Sequence, residues 1–140
     1  MRKTTGLLQI VSFSLFLHSC CWSVKEDHLG KNFRLSEYDN VDRRILYSEE
    51  RCSVSGIEIV TMTVTAYAYD PKWIIAKSRT SRFGREYQYW IIDKGFKIDD
   101  NTRNEKTSEM IKSHVTGPLD SASFEKLVHA NRIGLTLKNI

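Results

Sequence analysis

The sequence predicts an α+β fold, an antiparallel sheet meander of about five or six strands covered by one main C-terminal helix. Three observations carry this. Across residues 58–69, Val60, Met62, Val64, Ala66 and Ala68 share one parity while Thr61, Thr63, Thr65, Tyr67 and Tyr69 share the other, and a period of two is that of a strand. Two more strand-like runs, 73–77 and 87–93, follow after turn residues. Near the C-terminus, Phe124, Leu127 and Val128 recur at i, i+3 and i+4 behind Asp120, a helix stripe with its N-cap.

Taken in order, the chain opens with a positive pair, Arg2 and Lys3, and an apolar stretch over 7–17. That stretch has signal-peptide length and is too short to span a bilayer as a helix. Leu17-His18-Ser19-Cys20 then resembles the lipobox of bacterial lipoproteins, with Cys20 as the acylated first residue of the mature chain; His18 departs from the small residue usual at that place. An ordinary secretory signal cleaved nearby is the alternative. The resulting division is a leader over 1–19, a lipidated tether over 20–31 and a single domain over 32–140. Trp22 would sit at the lipid headgroups, and acyl chains on Cys20 would anchor the protein at roughly 0.8 kcal/mol per buried methylene.

In the domain, 32–38 alternates Phe33, Leu35 and Glu37 against Arg34, Ser36 and Tyr38 and predicts a first strand, with Asp39-Asn40 as its turn. Residues 43–48 predict a second, around Ile45-Leu46-Tyr47, and 49–55 a polar loop. In the meander, the small Ala66 and Ala68 leave room for a helix above them. Asp70-Pro71 forces a turn. Ile74-Ile75-Ala76 reads as a central strand covered on both faces, and 78–86 as a solvated hairpin loop. In the third strand Tyr87, Tyr89 and Ile91 share one face and Gln88, Trp90 and Ile92 the other. Phe96-Lys97-Ile98 is read as a strand end, 99–107 as a polar stretch, 106–114 as a weak helix and 117–120 as a turn. Ile133, Leu135 and Leu137 alternate as a final strand.

The 140 residues suit one domain. Removing Arg2 and Lys3 from the formal charge of +4 leaves about +2, with 19 basic and 17 acidic side chains intermixed. Nucleic-acid binding, which concentrates cations on one face, is not indicated. With Cys20 lipidated, Cys21 and Cys52 remain. They either pair in an oxidising envelope or stand as a free tether thiol and a buried one.

His28, His114 and His129 are too scattered for a metal motif, and 99–101 lacks the alternating carboxylates and closing glutamate of a calcium loop. There is no GxSxG and no glycine-rich phosphate loop. The chain is therefore read as a non-enzyme with no cofactor and no metal.

Aromatic crowding is the feature left over: Tyr67, Tyr69, Trp73, Tyr87, Tyr89 and Trp90 all fall in the meander. Core and cross-strand stacking is one reading. The other is an exposed face of Tyr67, Tyr69, Tyr87 and Tyr89, flanked by Lys77, Arg79 and Arg82, that binds an envelope protein or a glycan.

Tyr67-Ala68-Tyr69, Ile74-Ile75-Ala76-Lys77, Tyr89-Trp90-Ile91-Ile92-Asp93, and Gly117-Pro118-Leu119-Asp120 with Phe124 together resemble recurring segments of the small bacterial lipoproteins grouped as domain of unknown function 3997. The likeness covers most of 33–140. It implies a common fold and an envelope location, and no activity, ligand or catalytic residue. The functional expectation is a lipid-anchored binding or protein-interaction module of a bacterial envelope, facing periplasm or cell surface. The alternative is an inhibitor or immunity protein that blocks a secreted hydrolase or toxin with the 79–86 loop.

Overall fold

The computed structural model describes residues 24–39, 41–49, 56–61, 63–98 and 104–140. The leader, Cys20, Cys21, Trp22, Cys52 and Met62 lie outside the described residues. Nine strands and two helices follow in order: β1 Lys25–Gly30, β2 Phe33–Glu37, β3 Arg43–Tyr47, β4 Ile57–Val60, β5 Val64–Tyr69, β6 Trp73–Arg79, β7 Tyr87–Asp93, α1 Asn104–Ser113, β8 Val115–Leu119, α2 Ser121–Ala130 and β9 Lys138–Asn139. The fold is α+β with antiparallel pairing, as expected. It is not a single meander under one helix. The strands form two sheets, ordered β1-β2-β3-β4 and β8-β7-β6-β5-β9.

The division begins inside the run read as one strand. Residues 58–69 split into β4, which closes the first sheet, and β5, which lies in the second. Thr63 is the pivot. Its hydroxyl donates to the Val41 carbonyl and accepts from Arg43 N at 3.3 Å, while its carbonyl accepts from Arg79 N at 3.0 Å. One residue thus bonds both sheets, and hydrophobic alternation carries no mark of that change. A bulge between Val64 and Ala66 then shifts the register against β6 and reverses the parity of everything after it.

The main core lies between the sheets. Phe33, Leu35, Ile45 and Tyr47 from the first meet Val64, Ile74, Ala76, Trp90 and Ile92 from the second, with Phe96 and Ile111 closing the margin. Phe33 sits edge-on to Tyr47 and Phe96, with ring centroids 5.2 and 6.0 Å apart. A second core covers the far face of the second sheet, where Ala68, Ile75 and Ile91 receive Phe124 of α2, Ile133, and the flanking Leu127, Val128, Leu135 and Leu137. β6 is therefore buried on both faces, as its apolar run predicts. Fully burying a side chain such as Ile74 or Ile75 contributes roughly 1.5–3 kcal/mol.

Other elements depart from their sequence reading. Residues 25–30, expected in the tether, form edge strand β1. Leu29 is fully buried, Arg34 of β2 donates to Glu26 at 3.0 Å, and Lys94 donates from the second sheet to the Leu29 carbonyl. Charges hid this strand, yet charges are what keep an edge from pairing with other chains. Gly117-Pro118 lies inside β8 rather than in a turn, across a cis peptide bond and opposite a register shift in β7. Residues 96–98 form no strand, though Phe96 is buried. In the C-terminal segment Lys138–Asn139 pairs with β5 and Ile140 N donates to the Thr65 carbonyl at 3.1 Å, while Ile133, Leu135 and Leu137 pack as irregular chain in the second core. Helix α2 begins as read, with the Asp120 carboxylate accepting from Ser123 N at 2.8 Å, and it ends at Asn131.

Candidate binding surface

The β6–β7 pair places four of the singled-out side chains together on its outer face. The register sets Lys77 opposite Tyr89 and Arg79 opposite Tyr87, and alternation sends all four away from the sheet interface. Lys77 Nζ lies 3.9 Å from the Tyr87 ring centroid and 5.7 Å from that of Tyr89, a cation–π arrangement spanning both rings. Tyr89 is half-buried and stacks on Phe124 at 4.9 Å. Tyr87 is 45% exposed. Tyr89 is thus mainly a core residue, and Tyr87 is open to a partner.

Tyr67 and Tyr69 lie on the opposite side, toward the first sheet, because the bulge in β5 turns them there. The expected single face of four tyrosines does not form. The Tyr67 and Tyr69 rings are stacked at 6.3 Å and nearly parallel. The Tyr67 hydroxyl donates to Asp27 of β1, which makes it a strut between the sheets. Burial, followed by the bond and charge of Asp27, pushes the Tyr67 pKa up to about 12. Lys94, buried beside Tyr69, is held below the usual lysine range by burial, with Lys31 adding like charge and Asp70 opposing.

The raised Tyr67 pKa makes stability depend on pH with a definite sign. The folded state holds the phenolic proton more tightly than the unfolded state. The contribution is therefore complete below about pH 10 and is lost as pH climbs toward 12. Discounted for the partial exposure of this residue, it is worth about 1–2 kcal/mol. Wild type should be more stable than Tyr67→Phe at neutral pH, with the difference shrinking by that amount at about pH 11–12. Urea unfolding at the two pH values measures it, and a constant difference would mean that burial and the Asp27 contact do not raise the Tyr67 pKa.

At the far end of β6 and β7, the connecting loop meets the β2–β3 turn. Arg82 Nη2 lies 3.2 Å from Asp39 Oδ2. Asp39 Oδ1 accepts from Val41 N at 2.8 Å and Asp42 N at 2.6 Å; these bonds first, and Arg82 after them, lower its pKa. The carboxylate thus shapes one turn and holds the tip of the other. Next to the ion pair, Phe83 is 84% exposed and Tyr38 64% exposed, and Val41 is exposed as well. Sequence reading missed Phe83 and Tyr38 as candidates. The signal was present for Phe83, a lone aromatic residue inside a polar loop; Tyr38 reads as the last residue of a strand, and the structure places it one residue past the end of β2.

Of the predicted set, the structure groups Tyr87, Tyr89 and Arg79 on one face, puts Arg82 at the adjoining tip, and sends Tyr67 and Tyr69 elsewhere. Cys20 lies outside the described residues. Among those residues, no three His, Cys, Asp or Glu side chains are grouped to hold a metal, and no helix is long and apolar enough to cross a membrane. Comparison with protein-family profiles, curated proteins and solved structures found no match.

Proposed function

We propose that this chain is a non-catalytic interaction module of a bacterial envelope, lipid-anchored through Cys20, that engages a protein partner with the β2–β3 and β6–β7 turns. The lipobox-like 17–20 segment and the resemblance to domain of unknown function 3997 lipoproteins support the anchor and the location. The observation that carries the binding reading is Phe83, 84% exposed on a hairpin tip that the Arg82–Asp39 pair ties to the neighbouring turn. Exposed aromatic residues beside arginine are the usual anchors of interfaces, and truncating such an anchor costs about 2 kcal/mol or more of binding. Tyr38, Tyr87, Arg79 and Arg82 extend the surface.

A second reading uses the same residues. The loop between β6 and β7 is closed by bonds from Thr80 N to the Glu86 carbonyl and from Gly84 N to the Ser81 carbonyl, both 3.1 Å. A braced, aromatic-tipped hairpin also suits an inhibitor or immunity protein that inserts it into the cleft of a hydrolase or toxin.

The test is recovery of a partner from envelope extract by the full chain in detergent. Wild type should retain the partner. Phe83→Ser and the Tyr38→Ser/Phe83→Ser pair, each checked for wild-type circular dichroism, should lose it by roughly thirtyfold or more. Equal recovery by all variants would remove this surface from consideration, and a recovered hydrolase or toxin whose activity falls on binding would favour the second reading. Mass spectrometry finding Cys20 unmodified on the mature chain would remove the anchor.

A further inference from the structure

The opposite end of β6 and β7 holds a separate cleft. A seven-residue strand places it about 20 Å from the hairpin tip. The cleft has a volume of about 240 Å³ and brings together Trp73 from the start of β6, Asp93 from the end of β7, Ser113 and Thr116 from either side of the α1–β8 junction, and Asn131 from the end of α2, with Ile91 and Leu127 as apolar flanks. The topology accounts for this meeting. Trp73 and Asp93 are register partners, Asp93 N donates to the His114 carbonyl at 2.9 Å, and α2 ends over them with Asn131 as its C-cap.

The polar groups in the cleft are partly used, and what remains is a mixed set. Asp93 Oδ1 accepts from Gly95 N at 2.8 Å, and Asn131 Nδ2 donates to the Leu127 carbonyl at 2.9 Å. Among the described residues, Asp93 Oδ2, Asn131 Oδ1, Thr116 Oγ1 and the Trp73 indole N–H have no protein partner. Acceptors and donors therefore stand around an aromatic ring. No lysine or arginine lines the cleft; Asp93 does, as does His114, whose ring packs on Phe96 with centroids 5.2 Å apart, and Lys72 Nζ stands beside the site, 4.7 Å from the Trp73 ring centroid. One carboxylate and one ammonium thus flank the cleft, so an anion meets Asp93, a cation meets Lys72 over the indole, and a neutral ligand meets neither repulsion.

We infer that this cleft is a subsite for one neutral sugar ring, with the apolar face of a pyranose against Trp73 and its hydroxyls paired with Asp93, Thr116 and Asn131. A ring with an apolar face and a rim of hydroxyls, each both donor and acceptor, matches the flat indole and the mixed polar set. The volume falls below the roughly 300 Å³ at which drug-sized pockets begin, so it takes a single ring. The site is independent of the hairpin surface proposed above and would give the module a glycan contact as well as a protein contact. Few contacts and a shallow site make the affinity millimolar.

The test is a titration of the isotopically labelled full chain in detergent, followed by nitrogen–proton correlation spectra, with glucose, N-acetylglucosamine, glucuronate and tetramethylammonium as probes. The Trp73 indole signal is the reporter, and it is separable from that of Trp90, whose indole N–H is bonded to Ser78 inside the core at 3.0 Å. A neutral sugar should shift Trp73, Thr116 and Asn131 saturably, glucuronate should bind at least several-fold more weakly, and Asp93→Ala should weaken the neutral sugar about tenfold. Trp73→Ala should abolish the shifts; if that variant does not fold, Asp93→Ala decides. No saturable shift with either neutral sugar overturns the assignment. Tetramethylammonium binding at least as tightly as the sugars also overturns it, in favour of a cation site.

Discussion

Phe124→Ala should lower the free energy of unfolding by about 3–5 kcal/mol, the range for phenylalanine truncation in a core. Phe124 is the buried residue of α2, and its ring stacks on Tyr89 at 4.9 Å while packing with Ala68, Ile75 and Ile91. The ring fills the space between α2 and β7, the strand on which the helix packs. Alanine would leave a cavity there that the rigid strands below cannot close. Urea unfolding monitored by circular dichroism reads the effect as a lower midpoint at unchanged slope. Glu125→Ala, one position along on the exposed side, should stay within about 0.5 kcal/mol of wild type. A Phe124→Ala loss below about 1 kcal/mol would mean that α2 does not hold the second core.

Gly117→Ala should cost nearly as much, by a different mechanism. Gly117 has φ +152°, and a Cβ there would stand 2.6 Å from Trp90 Cε3 and 2.9 Å from the Tyr89 carbonyl oxygen. Trp90 cannot retreat, because its indole is buried and bonded to Ser78. Backbone strain of roughly 1–3 kcal/mol and overpacking of roughly 1–3 kcal/mol together predict a loss of about 2–5 kcal/mol. Gly134→Ala is the matched control, since nothing lies within 4 Å of its added methyl, and it should be neutral or slightly stabilising. If both variants unfold at the same denaturant concentration, the close approach of β8 to Trp90 is wrong.

These two positions differ in how well their roles could be read from sequence. Phe124 announces itself through helical spacing with Leu127 and Val128 behind an aspartate cap, and all of these signals are local. Gly117-Pro118 looks like a turn because glycine and proline usually make one. That it is a strand follows from contact with β7, dozens of positions away, and nothing near residue 117 encodes that contact. The candidate surface divides in the same way. Lys77, Tyr87 and Tyr89 could be grouped by parity because β6 and β7 are regular throughout; Arg79 joins them only because β6 runs on through Ser78, which is buried, and Arg79, residues expected in the solvated 78–86 loop. Tyr67 and Tyr69 could not, because a single-residue bulge between Val64 and Ala66 exchanges the faces of a strand.

By itself the sequence determined the α+β class, the course of β7 and that of β6 as far as Lys77, the two-sided burial of Ile74 and Ile75, and α2 with its Asp120 cap. Periodicity, capping and turn chemistry act over a few residues and so are written locally. Tertiary structure decided the rest: that the chain changes sheets at Thr63, that charged residues 25–30 form an edge strand fastened by Arg34 and Lys94, and that Phe83 stands open beside the Arg82–Asp39 pair. Each of these depends on which distant backbone edge or charge arrives as a partner, and strand pairing is settled by contacts far apart in the chain.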